Sequence, residues 1–209
     1  MRARTRELHD EAENTGFVAD LIAGRARRYG YALYLRNLLP TYEAMERGLD
    51  SHRADTQFAG IANPLLRRAH RIVADLRAIG GGGWEQSLPI LPEAEHYARR
   101  AALAGLGDGA ALLAHAYVRY MGDLNGGRIL RRLAINSLGL EPGALAFFDY
   151  PEIPDTRAFA TTYRMALDQA GLGLSDPVAV VEEAAEAFRD NIALSRAVAS
   201  AAGKSGAGG

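Results

Sequence analysis

The chain contains no cysteine. That removes disulfides, thiolate catalysis, iron–sulfur clusters and cysteine zinc sites together, and it fits a reducing compartment. Long apolar runs are missing as well, since no stretch approaches the roughly 18 residues of a membrane span. The opening run Met1-Arg2-Ala3-Arg4-Thr5-Arg6 leads straight into a charged helical pattern, without the apolar core of a secretory signal. The expectation is a cytoplasmic protein with no membrane anchor. Neither sign of charge dominates: 24 Lys and Arg stand against 25 Asp and Glu, so no global field argues for nucleic acid. No run alternates convincingly at period two, which leaves no candidate strand.

What is present is ordinary globular composition, 48% hydrophobic over 209 residues, enough for one domain with a normal core. Apolar residues recur at helical spacing. The pattern predicts a first helix over 2–15, stopped by Gly16. A second follows Gly24 and carries Tyr31, Leu35, Leu38, Leu39, Tyr42 and Met45. A third centres on Leu65, Leu66, Ala69, Ile72, Val73 and Leu76. Further helices start near Pro92 and cover 110–138, 156–171 and 176–201, the last opened by Asp176-Pro177 as cap and first turn. Gly80 to Gly83 reads as a flexible connection and 139–155, with Pro142, Pro151 and Pro154, as an irregular excursion. The fold class is all-α: one domain over 1–201 and a glycine-rich, disordered tail over 202–209. Arginines gather at Arg25, Arg27 and Arg28 and at Arg67, Arg68 and Arg71, the usual pattern of solvated helix faces.

The most informative segment is Gly122-Asp123-Leu124-Asn125-Gly126-Gly127. Each glycine inside a helix costs about 1 kcal/mol relative to alanine. The residues after it resume a helical pattern at once, so a kinked, continuing helix is expected. Gly122 and Gly126 are four apart and share a face. A face without Cβ atoms lets something flat come within contact of the backbone. Asp123 stands beside that strip with Arg119 one turn earlier, either as a solvated ion pair of little worth or as a carboxylate that organises water near a ligand.

The run Ala114-His115-Ala116-Tyr117-Val118-Arg119-Tyr120-Met121-Gly122-Asp123-Leu124-Asn125-Gly126-Gly127 resembles the distal-helix signature of the haem oxygenases. It departs at Asn125, where serine is commoner, and at Arg128, where glutamine is expected. The resemblance extends over roughly residues 1–200 and implies a helical bundle with a kinked distal helix. It also implies that His9, in Leu8-His9-Asp10-Glu11-Ala12-Glu13, is the ligand of haem iron. The spacing agrees. Glu13 lies one turn after His9 and is placed to accept a hydrogen bond from the ring nitrogen that does not bind metal. Arg2, Thr5 and Arg6 precede His9 on the same stripe, where the two arginines would meet haem propionates. His52, His70 and His96 read as surface residues and His115 as structural.

By the same resemblance, Tyr42 joins a hydrogen-bond network with Arg119 and Asp123, Asn191 joins the water network, and Phe188 packs on the distal side. Arg164 is the propionate-binding arginine, although Ala160 replaces a lysine often found one turn earlier. Tyr117, inside the signature, offers its hydroxyl either to a propionate or, as a buried tyrosine, to protein groups. Haem b would be both substrate and cofactor, cleaved with O2 and external electrons to biliverdin, carbon monoxide and iron. Nothing resembles a flavin or nicotinamide site, so a ferredoxin, flavodoxin or reductase is implied as electron donor, with Arg25, Arg27 and Arg28 as a docking candidate. A non-catalytic haem carrier or sensor on the same fold is the alternative, and thiamin-salvage proteins share the helical architecture without haem.

Overall fold

The computed structural model describes residues 1–206, and among them it contains helices and turns but no strand. Helix α1 (Arg2–Glu13) is followed by the short α2 (Gly16–Ile22), then by α3 (Arg28–Ser51) and α4 (Ala69–Gly80). A single turn, α5 (Trp84–Ser87), precedes α6 (Pro92–Ala104). Next come α7 (Leu112–Ala116), a π turn over Tyr117–Met121 and α8 (Gly122–Leu138). The chain closes with α9 (Thr156–Gly171) and α10 (Pro177–Gly206).

Helix α3 is the centre of the bundle, packed against α4, α6 and α10. Tyr31, Leu35, Leu38, Tyr42 and Met45 recur at three- and four-residue spacing and are fully buried. Pro40 sits inside this helix and cannot donate to the carbonyl one turn back. Close by, the Asn37 amide donates to the Leu33 and Pro89 carbonyls at 2.8 and 3.1 Å and accepts from the Leu91 N–H at 2.7 Å, pinning the chain that enters α6.

Several boundaries differ from the sequence-based expectation. Gly16 does not merely end the first helix. It begins α2, with φ +65°, and a Cβ there would lie 2.4 Å from the Ser195 carbonyl carbon of α10. Leu65 and Leu66 fall in a separate 3-10 turn ahead of α4, and Leu65 is exposed. The glycines after α4 form a tight turn that delivers buried Trp84, over which Arg36 stacks at 5.1 Å. Helix α10 runs on through Gly206, beyond the expected end at 201, so 202–206 are helical rather than tail; residues 207–209 of the expected tail lie outside the described residues. His52 is not a surface residue either. It bonds the Asp55 carboxylate at 3.0 Å and the Gly105 carbonyl at 3.1 Å, tying the end of α3 to the end of α6.

The irregular excursion at 139–155 is held by buried charge. The Asp75 carboxylate of α4 accepts from the N–H groups of Ala146 and Phe147 at 2.7 and 2.9 Å and from the Tyr31 hydroxyl at 3.3 Å. Arg68, expected on a solvated face, is fully buried. It donates to the carbonyls of Leu65, Leu66, Phe147 and Asp149 and lies 3.9 Å over the Tyr150 ring. Glu46 accepts from the Arg68 N–H at 2.6 Å and so caps the start of α4. The carbonyls explain the burial: a guanidinium offers five donors in a fixed fork, and the excursion and the 3-10 turn before α4 present acceptors to it from two sides.

Arg68→Met should therefore lower stability by about 3 kcal/mol, because it strands several buried carbonyls at once. Urea unfolding followed by circular dichroism measures this, and a midpoint equal to wild type would show that the clamp carries no load.

Candidate functional site

The π turn decides where the site lies. It inserts an extra residue per turn into an otherwise α-helical run, and over Tyr117–Met121 it leaves Arg119 facing inward, almost wholly buried. The expected kink thus sits one step before the glycines. The break belongs to the hydrogen-bond register, and α8 then carries all three glycines without interruption.

A buried guanidinium must spend its donors on protein. Arg119 donates through Nε and Nη2 to the Tyr42 hydroxyl at 3.0 and 2.8 Å, and through Nη1 to Asn191 Oδ1 at 2.6 Å. Tyr42 in turn donates to Asp123 Oδ2 at 2.5 Å, and Arg119 Nη2 stands 3.4 Å from Asp123 Oδ1. Helices α3, α8 and α10 and the π turn therefore meet in one polar knot. The Arg119–Asp123 pair is not solvated, which disposes of the surface ion pair. Burial pushes the Asp123 carboxyl above the usual carboxylate range, while Arg119 and the Tyr42 hydrogen bond pull the other way without cancelling it. Burial likewise pushes the Tyr42 hydroxyl up, so it remains a donor.

Beside the knot opens a cleft of about 1250 Å³ between α1 and the distal helix. Gly122 and Gly126 line it, and a Cβ on either would meet nothing within 4 Å. Gly127 also lines it and serves packing as well. Its Cβ position lies 3.4 Å from the Phe148 carbonyl, so it lets the excursion pack against α8. His9 lines the cleft from α1 and is 49% exposed on its side chain. Arg6, Tyr117 and Arg164 also line it, and no ion pair or hydrogen bond engages the Arg6 or Arg164 guanidinium among the described residues. The side chain of Arg2 lies outside the described residues.

Two expectations need correction. Glu13 does not hydrogen-bond His9: its Oε1 is 3.8 Å from Nε2, beyond hydrogen-bond range. Both side chains are about half exposed, and water competes for each. Phe188 was expected on the distal side, but its ring meets the His9 ring edge-on at 6.1 Å between centroids. It buttresses the imidazole, because α10 packs along α1.

Sequence reasoning missed Tyr34, Phe147 and Phe148, which also line the cleft. Tyr34 lies eight residues before Tyr42, about two turns on the same face, and that spacing could have flagged it. The two phenylalanines come from the excursion clamped by Asp75 and Arg68. Phe147 packs edge-on against Tyr42 at 5.7 Å, so the clamp reaches the knot through one ring. Of the arginines considered for docking, Arg25 pairs with Asp20 and Arg28 donates to the Gly139 carbonyl.

Fold and cleft together define a helical protein in which one imidazole and a strip of bare backbone line the same apolar slot. A family model described as heme oxygenase matches residues 1–197, and the chain belongs to the heme oxygenase family. Heme oxygenase 1 of Synechocystis is 32% identical over 194 residues, covering 93% of this chain and 81% of its own. Heme oxygenase 1 of Homo sapiens is 32% identical over 197 residues, covering 93% of this chain and 68% of its own. The crystal structure of the Synechocystis heme oxygenase-1 in complex with heme superposes with a TM-score of 0.88 at 31% identity, over 98% of this chain and 92% of that one.

The open space at Gly126 makes a stability prediction. Gly126→Ala should raise stability by about 0.5–1 kcal/mol, since the methyl meets nothing and the helix loses a flexible residue. Thermal or urea unfolding measures it, and a destabilised variant would mean that the strip is packed rather than bare.

Proposed function

We propose that this chain cleaves haem to biliverdin, carbon monoxide and ferrous iron, using O2 and electrons from an external ferredoxin, flavodoxin or reductase. The observation that carries the reading is geometric: His9 and the Gly122–Gly126 strip line one cleft, and the Arg119–Tyr42–Asp123–Asn191 knot stands beside the strip. The residues fit the ligand. The walls are mostly apolar, an imidazole is available to a metal, and the glycines leave open the space that side chains would fill.

Bound there, haem would supply the oxygen-activating metal and the ring that is oxidised. The chain supplies the rest. His9 would hold the iron, with Phe188 against its ring. Arg6, Arg164 and Tyr117 would take the propionates, and charge-assisted bonds from the two guanidinium groups suit a carboxylate there. Gly122 and Gly126 would admit the ligand to the helix backbone, and they present no imidazole on that side. Asp123 is the organiser of water. Its Oδ2 is occupied by Tyr42, whereas Oδ1 keeps only the 3.4 Å contact with Arg119 and so has lone pairs for a water in the cleft. Its raised pKa brings it nearer the working range of a group that passes protons at neutral pH. Asn191 and Tyr42 hold Arg119 in place, and Tyr42 also bonds the carboxylate directly.

Aerobic turnover with a reductant tests the reading: the Soret band should disappear as a biliverdin band grows, and an unchanged Soret band would make the protein a carrier. Asp123→Ala should bind haem with an unaltered spectrum while biliverdin formation falls about 100-fold. Normal turnover by that variant would remove Asp123 from its role. His9→Ala should change the haem spectrum itself, and a wild-type spectrum would place the ligand elsewhere.

A further inference from the structure

Where α3 ends, one histidine ring is set between two groups that accept protons in hydrogen bonds and have none to give. His52 follows the last residue of α3, and its side chain is 12% exposed. Its Nδ1 lies 3.0 Å from Asp55 Oδ2, on the same turn of chain, and its Nε2 lies 3.1 Å from the Gly105 carbonyl at the end of α6. A carbonyl oxygen only accepts, so Nε2 carries a proton. A carboxylate, ionised at neutral pH, also only accepts, so Nδ1 carries a second. A ring that donates at both nitrogens is an imidazolium, and a neutral ring forfeits one of the two bonds. The carboxylate is the stronger acceptor of the pair. A neutral ring therefore keeps its proton on Nδ1, turns a lone pair toward the Gly105 carbonyl and loses the link to α6.

The ring is also closely packed. Buried Phe58, in the 3-10 turn over Thr56–Phe58, faces it at 5.2 Å between ring centroids. Gly109 approaches so near that a Cβ there would lie 2.7 Å from the imidazole. Gly109 belongs to the loop between α6 and α7, and its carbonyl accepts from the Leu112 N–H at 2.8 Å, at the start of α7. One ring thus joins the end of α3, the 3-10 turn and the loop that leads into α7. The titratable groups that act on it are Asp55 from its own turn and Asp108 from the α6–α7 loop, while the 3-10 turn presents the uncharged Phe58. The hydrogen bond to Asp55 holds the ring's pKa above the ordinary histidine value, partial burial opposes it, and the Gly105 carbonyl adds to the rise.

We propose that His52 is a pH-sensitive clamp, whose cationic ring fastens the end of α6 and the loop ahead of α7 to the end of α3, and which releases them when the ring loses its proton. Folding binds that proton more tightly. The clamp's stabilisation is therefore complete below the ordinary histidine pKa of about 6.5 and is lost as the pH rises through the higher folded value. Each unit between the two midpoints is a tenfold change in the folding equilibrium. His52 does not line the cleft, and the clamp stands whether or not the chain cleaves haem.

The test uses the full chain as wild type, Asp55→Asn and His52→Gln, from about pH 6 to about pH 9. Proton NMR follows the five histidine rings, with His52 identified as the resonance missing from His52→Gln. His52 should titrate above about 6.5 in the wild type and fall back toward that value in Asp55→Asn. An asparagine amide donates to a neutral Nδ1 and leaves Nε2–H for Gly105, so that variant keeps both bonds without the charge. As the pH rises, the wild-type folding constant from urea unfolding should fall relative to that of Asp55→Asn. The Leu112 amide should lose hydrogen-exchange protection in the wild type alone. A His52 midpoint at or below about 6.5, or the same pH profile of stability in wild type and Asp55→Asn, would overturn the clamp. Asp55 is more than half exposed, so its replacement decides the matter if His52→Gln does not fold. In that case one histidine resonance should shift its midpoint downward in Asp55→Asn, and five unmoved midpoints would overturn the clamp.

Discussion

One guanidinium, taken out of water, organises the distal wall. A buried charge is tolerated only when its donors are matched by well-placed acceptors, and Arg119 draws those acceptors from three places far apart in sequence. Tyr42 comes from α3, Asp123 from α8 and Asn191 from α10. Remove the charge and these groups have no reason to converge. With it in place, the Asp123 carboxylate is fixed from two directions, and the helix that carries the bare strip is tied to the centre of the bundle. The same logic recurs at Arg68 and Asp75, which use buried charge to shape an irregular loop. The loop returns the benefit through Phe147, which rests on Tyr42.

Much of this was legible in the sequence because periodicity and spacing report on single helices. The long apolar faces of α3, α8 and α10, and the sharing of a face by Gly122 and Gly126, follow from a repeat of 3.6 residues and need no tertiary information. The pairing of Arg119 with Asp123 follows from their spacing of one turn, whereas the arrival of Tyr42 and Asn191 at that pair followed only from resemblance, since nothing local to either names the others. What was not legible depends on partners distant in the chain. Arg68 reads as a surface residue until the excursion brings carbonyls around it. Gly16 reads as a stop until the α10 backbone is seen against it. The side that Phe188 occupies is set by how α10 lies along α1, which periodicity does not encode. The π turn is invisible for another reason: a register shift of one residue leaves composition unchanged.

The glycines show how stability and function pull apart within one helix. Gly127 is accounted for by packing, since it stands close to the Phe148 carbonyl, whereas Gly122 and Gly126 face open space and gain nothing structural from lacking a side chain. A helix interior is the place where glycine is least favourable. Two such residues kept on the cleft side of a helix whose other face is well packed mark where the fold gives up stability to keep a surface bare.

Helix α1 forms the opposite wall, and it is held more loosely. Among its described side chains Thr5 alone is fully buried, and the helix is tied to α10 by exposed pairs such as Arg4–Glu182 and Glu11–Arg196, which add little. Leu8 and Ala12 pack against the core only in part. Such an element lies at the low end of local stability. A ligand seated between it and α8 would bury further apolar surface on both walls and be clasped by His9. A ligand that needs both walls would add its binding free energy to the docking of α1. The helix that supplies the imidazole is thus the one whose own packing is least complete, which lets a large flat substrate enter and an altered product leave without opening the core around α3.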